Sequence, residues 1–273
     1  MKLEQIYHLF SQEVERPDAE INLARAALYF VLDEYPDLQV DKYLGLLDIM
    51  AQDIQNKLPL SPYPLKVIQT INNYLFEHLG FQGNQQNYYD ARNSFLNEVI
   101  DRGLGIPISL SVIYLEIAKR LNFPMVGIGM PGHFLIRPDF EDVGIFVDAF
   151  NRGEILFEQD CVERINQLYK QQIKPEPHFF DPVTNQQIIV RLLTNLKFLY
   201  LKQKSLEKAL KFVNLILLVL PNHPLEVRDR GLVYYQLEVW EEASRDLEFY
   251  LALLPLAEDA DVIRELLEVI SYL

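Results

Sequence analysis

A histidine that follows Pro-Gly and opens one apolar run, and an aspartate inside the next such run, are the side chains in this sequence best placed to do chemistry together. His133 stands in MPGHFLIR, from Met130, and Asp148 in FVDAFNRGEIL, from Phe146. A third block, RGLGIPISLSVIYLEIAKRL from Arg102, precedes both and reads as a helix start. A helix start, a histidine at the head of a strand and an aspartate within the next strand are the parts of a nucleophile, imidazole and carboxylate triad. The helix dipole steadies an anion, the imidazole takes a proton and the carboxylate fixes the tautomer. The same two residues also read as a structural clamp, a histidine tied to an aspartate across two strands. Asp148, between Val147 and Ala149, is costly to bury without a partner, and His133 is the expected one on either reading.

The elements that must position these groups follow from periodicity. Up to about residue 80 apolar residues recur at three and four, as in Ile21, Ala24, Ala27, Leu28, Val31 and Leu32, which predicts helices. Breaks fall at Pro17, Tyr35-Pro36 and the SPYP stretch from Ser61, and Gly80 ends a fourth helix beginning near Leu65. GNQQNYYDAR, from Gly83, reads as an ordered surface loop. Pro107 opens a helix through Leu121, and MVGIGM, HFLIRP and GIFVDAF are short strands separated by Pro-Gly and an acidic turn from Asp139 to Asp142. The expected fold class is α+β, a helical N-terminal region with a helix against a small antiparallel sheet, followed by an all-α array. The proline-rich, charged segment from Lys174 to Pro182 separates a first domain at 1–175 from a second at 183–273.

The second part repeats at 34 residues: Tyr200 recurs as Tyr234, Ala209 as Ala243, Leu220 as Leu254 and Pro221 as Pro255. Helix pairs that stack through small residues have this period, and Asp259 to Tyr272 reads as their capping helix. The match is imperfect at Lys197, which stands where the second copy has Gly231.

Taken together, PISLS, PGHF, NSFLN and the stretch GFQGNQQNYYDARNSFLNEVI from Gly80 resemble bacterial transglutaminase-like proteins that carry C-terminal tetratricopeptide-like repeats, among them the SirB group. The same core occurs in certain F-box proteins, and the resemblance spans roughly residues 15 to 270. It implies a transglutaminase/papain-like core and a triad in the order Cys, His, Asp, with His133 and Asp148 at the last two positions. The first position falls between Pro107 and Ser111, where this sequence has serine and no cysteine, Ser109 being the nearest candidate. The family pattern also often has proline at Ala149 and glycine at Arg152.

A thiol ionises readily beside an imidazole, whereas a serine needs a positioned base and an oxyanion hole. The expected function is therefore a non-catalytic protein-protein interaction or adaptor module. The alternative is a serine-dependent hydrolase or acyl-transfer enzyme using Ser109, or Ser111, with His133 and Asp148. Ser109 and Ser111 read first as helix-capping hydroxyls, and Asn93 and Ser94 as caps of the NSFLN helix that begins with them. Gly132 and the side chains of Asn93, Arg102, Ser111 and Arg137 are candidate binding groups around the cleft, the arginines for an anion or for an acidic loop.

Composition narrows the partners. The formal charge is -14, about -11 of it before Pro182, so phosphate backbones and anionic membranes are repelled and neither nucleic acid nor membrane insertion is expected. A protein or peptide offering a basic or extended segment is. The lone Cys161 excludes an internal disulfide framework and reads as a buried thiol, which fits a cytoplasmic protein, as does the polar amphipathic start MKLEQIYHLFSQEVE. His8, His78, His178 and His223 show no metal-ligand spacing, and no glycine-rich phosphate loop is present, so no metal and no cofactor is expected.

Overall fold

The computed structural model describes residues 3–130, 132–140, 144–170 and 177–272. Pro131, the part of the acidic turn beyond Phe140 and residues 171–176 of the expected linker lie outside the described residues. The N-terminal helices α1 (Leu3–Val14), α2 (Leu23–Tyr29), α3 (Val40–Gln55) and α4 (Pro64–Asn72) fall between the breaks read from sequence. Asn22 starts α2 by accepting from the Arg25 amide at 2.8 Å, and Pro64 opens α4 with its preset φ. Beyond α4 the chain widens into a π-helical turn over Asn73–His78 and stops at Gly80, whose φ of +74° suits glycine.

Strand β1 (Gln82–Gly83) pairs in parallel with β2 (Leu104–Gly105), and α5 (Leu96–Arg102) lies between them in sequence. Helix α6 (Pro107–Arg120) is buried from Pro107 through Ala118, mostly apolar around its whole circumference because neighbours surround it. Its one buried acid, Glu116, is compensated by the Arg120 guanidinium at 2.5 Å. A five-stranded antiparallel sheet follows from β3 (Met125–Ile128), β4 (Leu135–Pro138), β5 (Ile145–Asp148), β6 (Glu154–Phe157) and, after helix α7 (Glu158–Tyr169), β7 (Pro182–Val183). The strand order is β6-β5-β4-β3-β7. The sheet thus has two strands more than the three apolar runs predicted. Strand β6 continues the third run past a tight turn at Arg152 and Gly153, and β7 is an edge strand, where a proline is tolerated.

The remaining helices are α8 (Asn185–Lys202), α9 (Leu206–Val219), α10 (Pro224–Gln236), α11 (Trp240–Leu253) and α12 (Ala260–Ile270). The chain groups into two compact units, Met1–Ile189 and Val190–Leu273, and the division falls within α8. The 34-residue period is written into the backbone of the second unit. Helix α9 maps onto α11 end to end, Lys204 and Glu238 both take φ near +60°, and the amides of Leu220 and Leu254 bond to the carbonyls of Ile216 and Tyr250. Ala209 and Ala243 are both fully buried.

Gly231 of α10 lets α11 approach closely, since a Cβ there would lie 2.9 Å from Leu247. Lys197, its counterpart in α8, instead runs inward to 2% exposure and is neutralised by Glu226 at 2.8 Å and Asp229 at 2.9 Å. Lys197→Met removes the cation those two acids share and is expected to lower stability by roughly 3 kcal/mol in urea unfolding. Lys197→Met combined with Glu226→Leu is expected to recover most of that loss.

Candidate functional site

Asp148 is the last residue of β5 and is wholly buried. Strand β4 runs antiparallel beside β5, with Ile136 opposite Val147, and this register brings the segment before β4 against the end of β5. His133 Nε2 therefore lies 2.7 Å from Asp148 Oδ2. The rest of the carboxylate is also occupied. Its Oδ1 accepts from the amides of Phe150 and Asn151 at 3.0 and 3.2 Å, and its Oδ2 accepts from Asn151 Nδ2 at 2.9 Å and from Arg164 Nη1.

Burial alone would raise the Asp148 carboxyl, but the hydrogen bond from His133 and the donors of Asn151 outweigh it and hold it below the ordinary carboxylate range. An ionised Asp148 makes His133 Nε2 the donor of their bond and fixes the ring in that tautomer. Arg164, on α7, bridges Asp148 to Glu154, which its Nη2 reaches at 2.8 Å. The site is thus a four-sided charge cluster rather than a simple dyad. Arg164 was not among the residues singled out from sequence. The signal was its place three residues after the buried Cys161, on the inward stripe of an amphipathic helix.

Around the imidazole, Phe150 presents its ring to His133 at 83° with centroids 6.3 Å apart, and Tyr88 packs on Phe150 at 6.0 Å. Phe150, Asn151 and Arg152 form one wall of a cleft of about 500 Å³ whose other wall is residues 82–86 with Leu104. The β1 backbone reaches this wall closely: the Gly83 amide donates to the Phe150 carbonyl, and a Cβ at Gly83 would lie 2.5 Å from the Phe150 ring. Arg152 has a φ of +57°, a backbone state glycine adopts more easily, and its Nη2 is held by the Phe76 carbonyl at 3.2 Å and Glu77 at 3.0 Å.

The remaining sequence candidates divide by what they touch. Ser109 is fully buried; its Oγ accepts from the Ile106 amide at 3.0 Å and donates to the Asn93 carbonyl at 2.6 Å, and none of its bonds is to His133. It supplies half of a capping arrangement at the α6 start, Ile106 having no side-chain oxygen to return the bond. Ser111 is equally buried, and its Oγ has no hydrogen-bond partner.

Asn93 does not cap the following helix, as the sequence suggested; Phe95 occupies that cap position. Its amide is consumed instead in closing the loop, with Nδ2 donating to the carbonyls of Asn87 and Tyr88 and Oδ1 accepting from Asn84 and Arg102. Arg102 therefore ties this loop to α5, its Nη1 lying 4.0 Å from Glu98. Arg137, on β4, donates to its neighbour's carbonyl at Pro138. Gly132 takes a φ of +70° next to His133. Cys161 is buried among Ile128, Met130, Leu135 and Phe146, and burial pushes its thiol up to about 12. Among the described residues, no three His, Cys, Asp or Glu side chains are grouped to hold a metal ion, and no helix is long and apolar enough to cross a membrane.

Asp148→Asn is expected to destabilise the protein by about 2 to 3 kcal/mol at neutral pH, because His133 and Arg164 lose the buried charge they donate to, while Arg164 keeps Glu154. Since the folded carboxyl is depressed, its ionised form stabilises above the unfolded value near ~4 and that contribution fades as pH falls below it. Urea unfolding of both proteins should show a gap that is full at pH 7 and closes in acid.

A family model described as the transglutaminase-like superfamily matches residues 41–194, and one described as tetratricopeptide repeat matches 196–268. The UPF0162 protein of Xylella fastidiosa (strain 9a5c) is 37% identical over 251 residues, covering 90% of this chain and 89% of the relative. The UPF0162 protein of Vibrio cholerae is 30% identical over 198 residues, covering 72% of this chain and 73% of the relative. F-box only protein 21 of Homo sapiens is 29% identical over 192 residues, 66% of this chain but 29% of that protein. No solved structure matches. With its helix-on-sheet core in the first unit and paired helices in the second, the chain belongs to the transglutaminase-like superfamily, groups there with the UPF0162 proteins, and carries tetratricopeptide repeats after the core.

Proposed function

We propose that this protein acts without covalent catalysis, as a cytoplasmic adaptor that binds protein or peptide partners through the cleft beside His133 and through its repeats. The observation that carries this reading is the state of the nucleophile position. The Ser109 hydroxyl is committed to the backbone of Ile106 and Asn93, and the chain's one thiol is packed in the core behind the sheet with an elevated pKa. The His133 and Asp148 pair then serves to hold β4, β5 and α7 in register and to present Phe150 and Asn151 to the cleft. Clefts lined by backbone and amide groups suit extended segments, and repeat arrays suit peptides or helices.

A second reading, a Ser-His-Asp hydrolase or acyl-transfer enzyme, is favoured by one observation: the buried Ser111 Oγ has no hydrogen-bond partner in a helix whose start lies in the expected nucleophile segment. The two readings separate in one experiment. The full-length protein is treated with a fluorophosphonate probe and, separately, with a glutamine peptide and an amine donor. No adduct and no ammonia release above the blank are expected. A selected binding peptide should meanwhile lose at least tenfold in affinity on Phe150→Ala. An adduct on Ser109 or Ser111 that disappears in His133→Ala would establish the enzyme instead.

A further inference from the structure

A pocket of about 270 Å³, sharing no residue with the cleft beside His133, opens between the end of α3 and the helix that runs from α4 into the π-helical turn. Its lining is Lys57, Lys66, Thr70, Asn73, Tyr74 and His78, three basic side chains and no carboxylate. In a chain of net charge -14 that reverses the prevailing sign. Two acids of the same elements are committed elsewhere: Asp53 accepts from the Tyr74 hydroxyl at 2.7 Å, and Glu77 pairs with Arg152 at 3.0 Å. Lys57 lies over the Tyr74 ring, 4.5 Å from its centroid, and the His78 ring packs beside it at 5.5 Å. Among the described residues, Lys57, Lys66 and His78 form no ion pair with any acid. Lys57, Asn73 and His78 are exposed and Lys66 is half-buried, so their polar groups are open to solvent. Thr70 is not a free donor, its hydroxyl being bonded to the Lys66 carbonyl at 2.7 Å.

The backbone is wound to gather these groups. In the π-helical turn the amide of Leu79 bonds to the carbonyl of Tyr74 at 2.9 Å, and such i to i+5 bonds stack residues five apart. Asn73 and His78 thereby come to one side, where α winding would turn them to different faces. Helix dipoles account for part of the charge pattern, since Lys57 follows the C-terminus of α3 and His78 closes the π turn. They do not account for Lys66, which stands in the first turn of α4 at the positive end of its dipole. Like charges facing one hollow repel, and an anion placed between them relieves that repulsion. Lysine and imidazole donate as point groups, without the planar fork by which arginine grips a carboxylate, and so suit a tetrahedral phosphate. We propose that this pocket binds a phosphoryl dianion, either free phosphate or the phosphate of a small ester, through Lys57, Lys66, His78 and the Asn73 amide. The acidity of the rest of the chain disfavours a long polyanion such as nucleic acid, which a pocket of this size could not enclose. The inference goes beyond the reading of the His133 cleft and does not depend on it.

The test uses the full chain at an ionic strength held constant with sodium chloride, titrated in turn with inorganic phosphate, glycerol 3-phosphate and malonate, a dicarboxylate of similar charge. Nitrogen-15 amide spectra follow each titration. Inorganic phosphate is expected to shift the amides of Asn73, Tyr74 and His78 along a saturating curve, with malonate at least threefold weaker. Lys57→Gln with Lys66→Gln should weaken phosphate at least tenfold at unchanged Tm; were that pair to lower Tm, Lys57→Gln alone makes the comparison, with a loss of at least threefold. Lys204→Gln, at an exposed lysine of the second unit, should leave the affinity unchanged. Tighter binding of the ester assigns the pocket to a small phosphate ester, and binding of inorganic phosphate alone assigns it to the free ion; both support the proposal. Shifts that never saturate, malonate bound as tightly as phosphate, affinity untouched by the loss of Lys57 and Lys66, or an equal loss in Lys204→Gln would overturn it.

Discussion

A carboxylate with no access to water organises the first unit of this protein. Asp148 sits at the end of a strand in an apolar sheet, where an ionised group is tolerated only if every lone pair is answered. Five donors answer it, two from the backbone just beyond β5 and three from the side chains of His133, Asn151 and Arg164. Because those donors come from the segment before β4, the turn after β5 and helix α7, satisfying one carboxylate fixes the mutual placement of three pieces of chain. The cleft wall of Phe150 and Asn151 is a by-product of that constraint, since both residues are held by the same oxygen atoms.

The same physics recurs wherever this acidic chain buries charge. Glu116 in the central helix meets Arg120, and Lys197 in α8 meets Glu226 and Asp229. From Asp229 the chain of contacts continues through Arg228 to Asp259, which accepts from Tyr250, so one network links α8, α10, α11 and the start of α12. Isolated, each of these charges would cost several kcal/mol to bury; as networks they are close to neutral energetically and restrict which helix faces fit together. The second unit therefore departs from the small-residue packing of its repeat at Lys197 and compensates by electrostatics.

Much of the architecture was legible in the sequence because it is local. Prolines and glycines mark the helix ends, the 34-residue period is carried by Tyr200, Ala209, Leu220 and Pro221 and their counterparts, and three apolar runs give three strands. The pairing of His133 with Asp148 was legible because an aspartate in an apolar strand demands a partner. What escaped were contacts whose two ends lie far apart or in different elements. Arg164 looks like any polar residue of an amphipathic helix until α7 is laid against the sheet. Asn93 has the composition of a cap, but the loop at 84–88 offers its amide more bonds than a helix end would. The two-residue strands β1 and β2 are too short to leave a periodicity at all.

The arrangement of the first unit depends on an ionised Asp148 that holds a proton on His133 Nε2. Long-range proton–nitrogen correlation spectra of the protein labelled with nitrogen-15 in histidine, assigned through His133→Gln, read that proton directly. A protonated Nε2 is expected for His133 at neutral pH, with loss of that constraint in Asp148→Asn. A spectrum placing the ring proton on Nδ1 with Nε2 bare would contradict it.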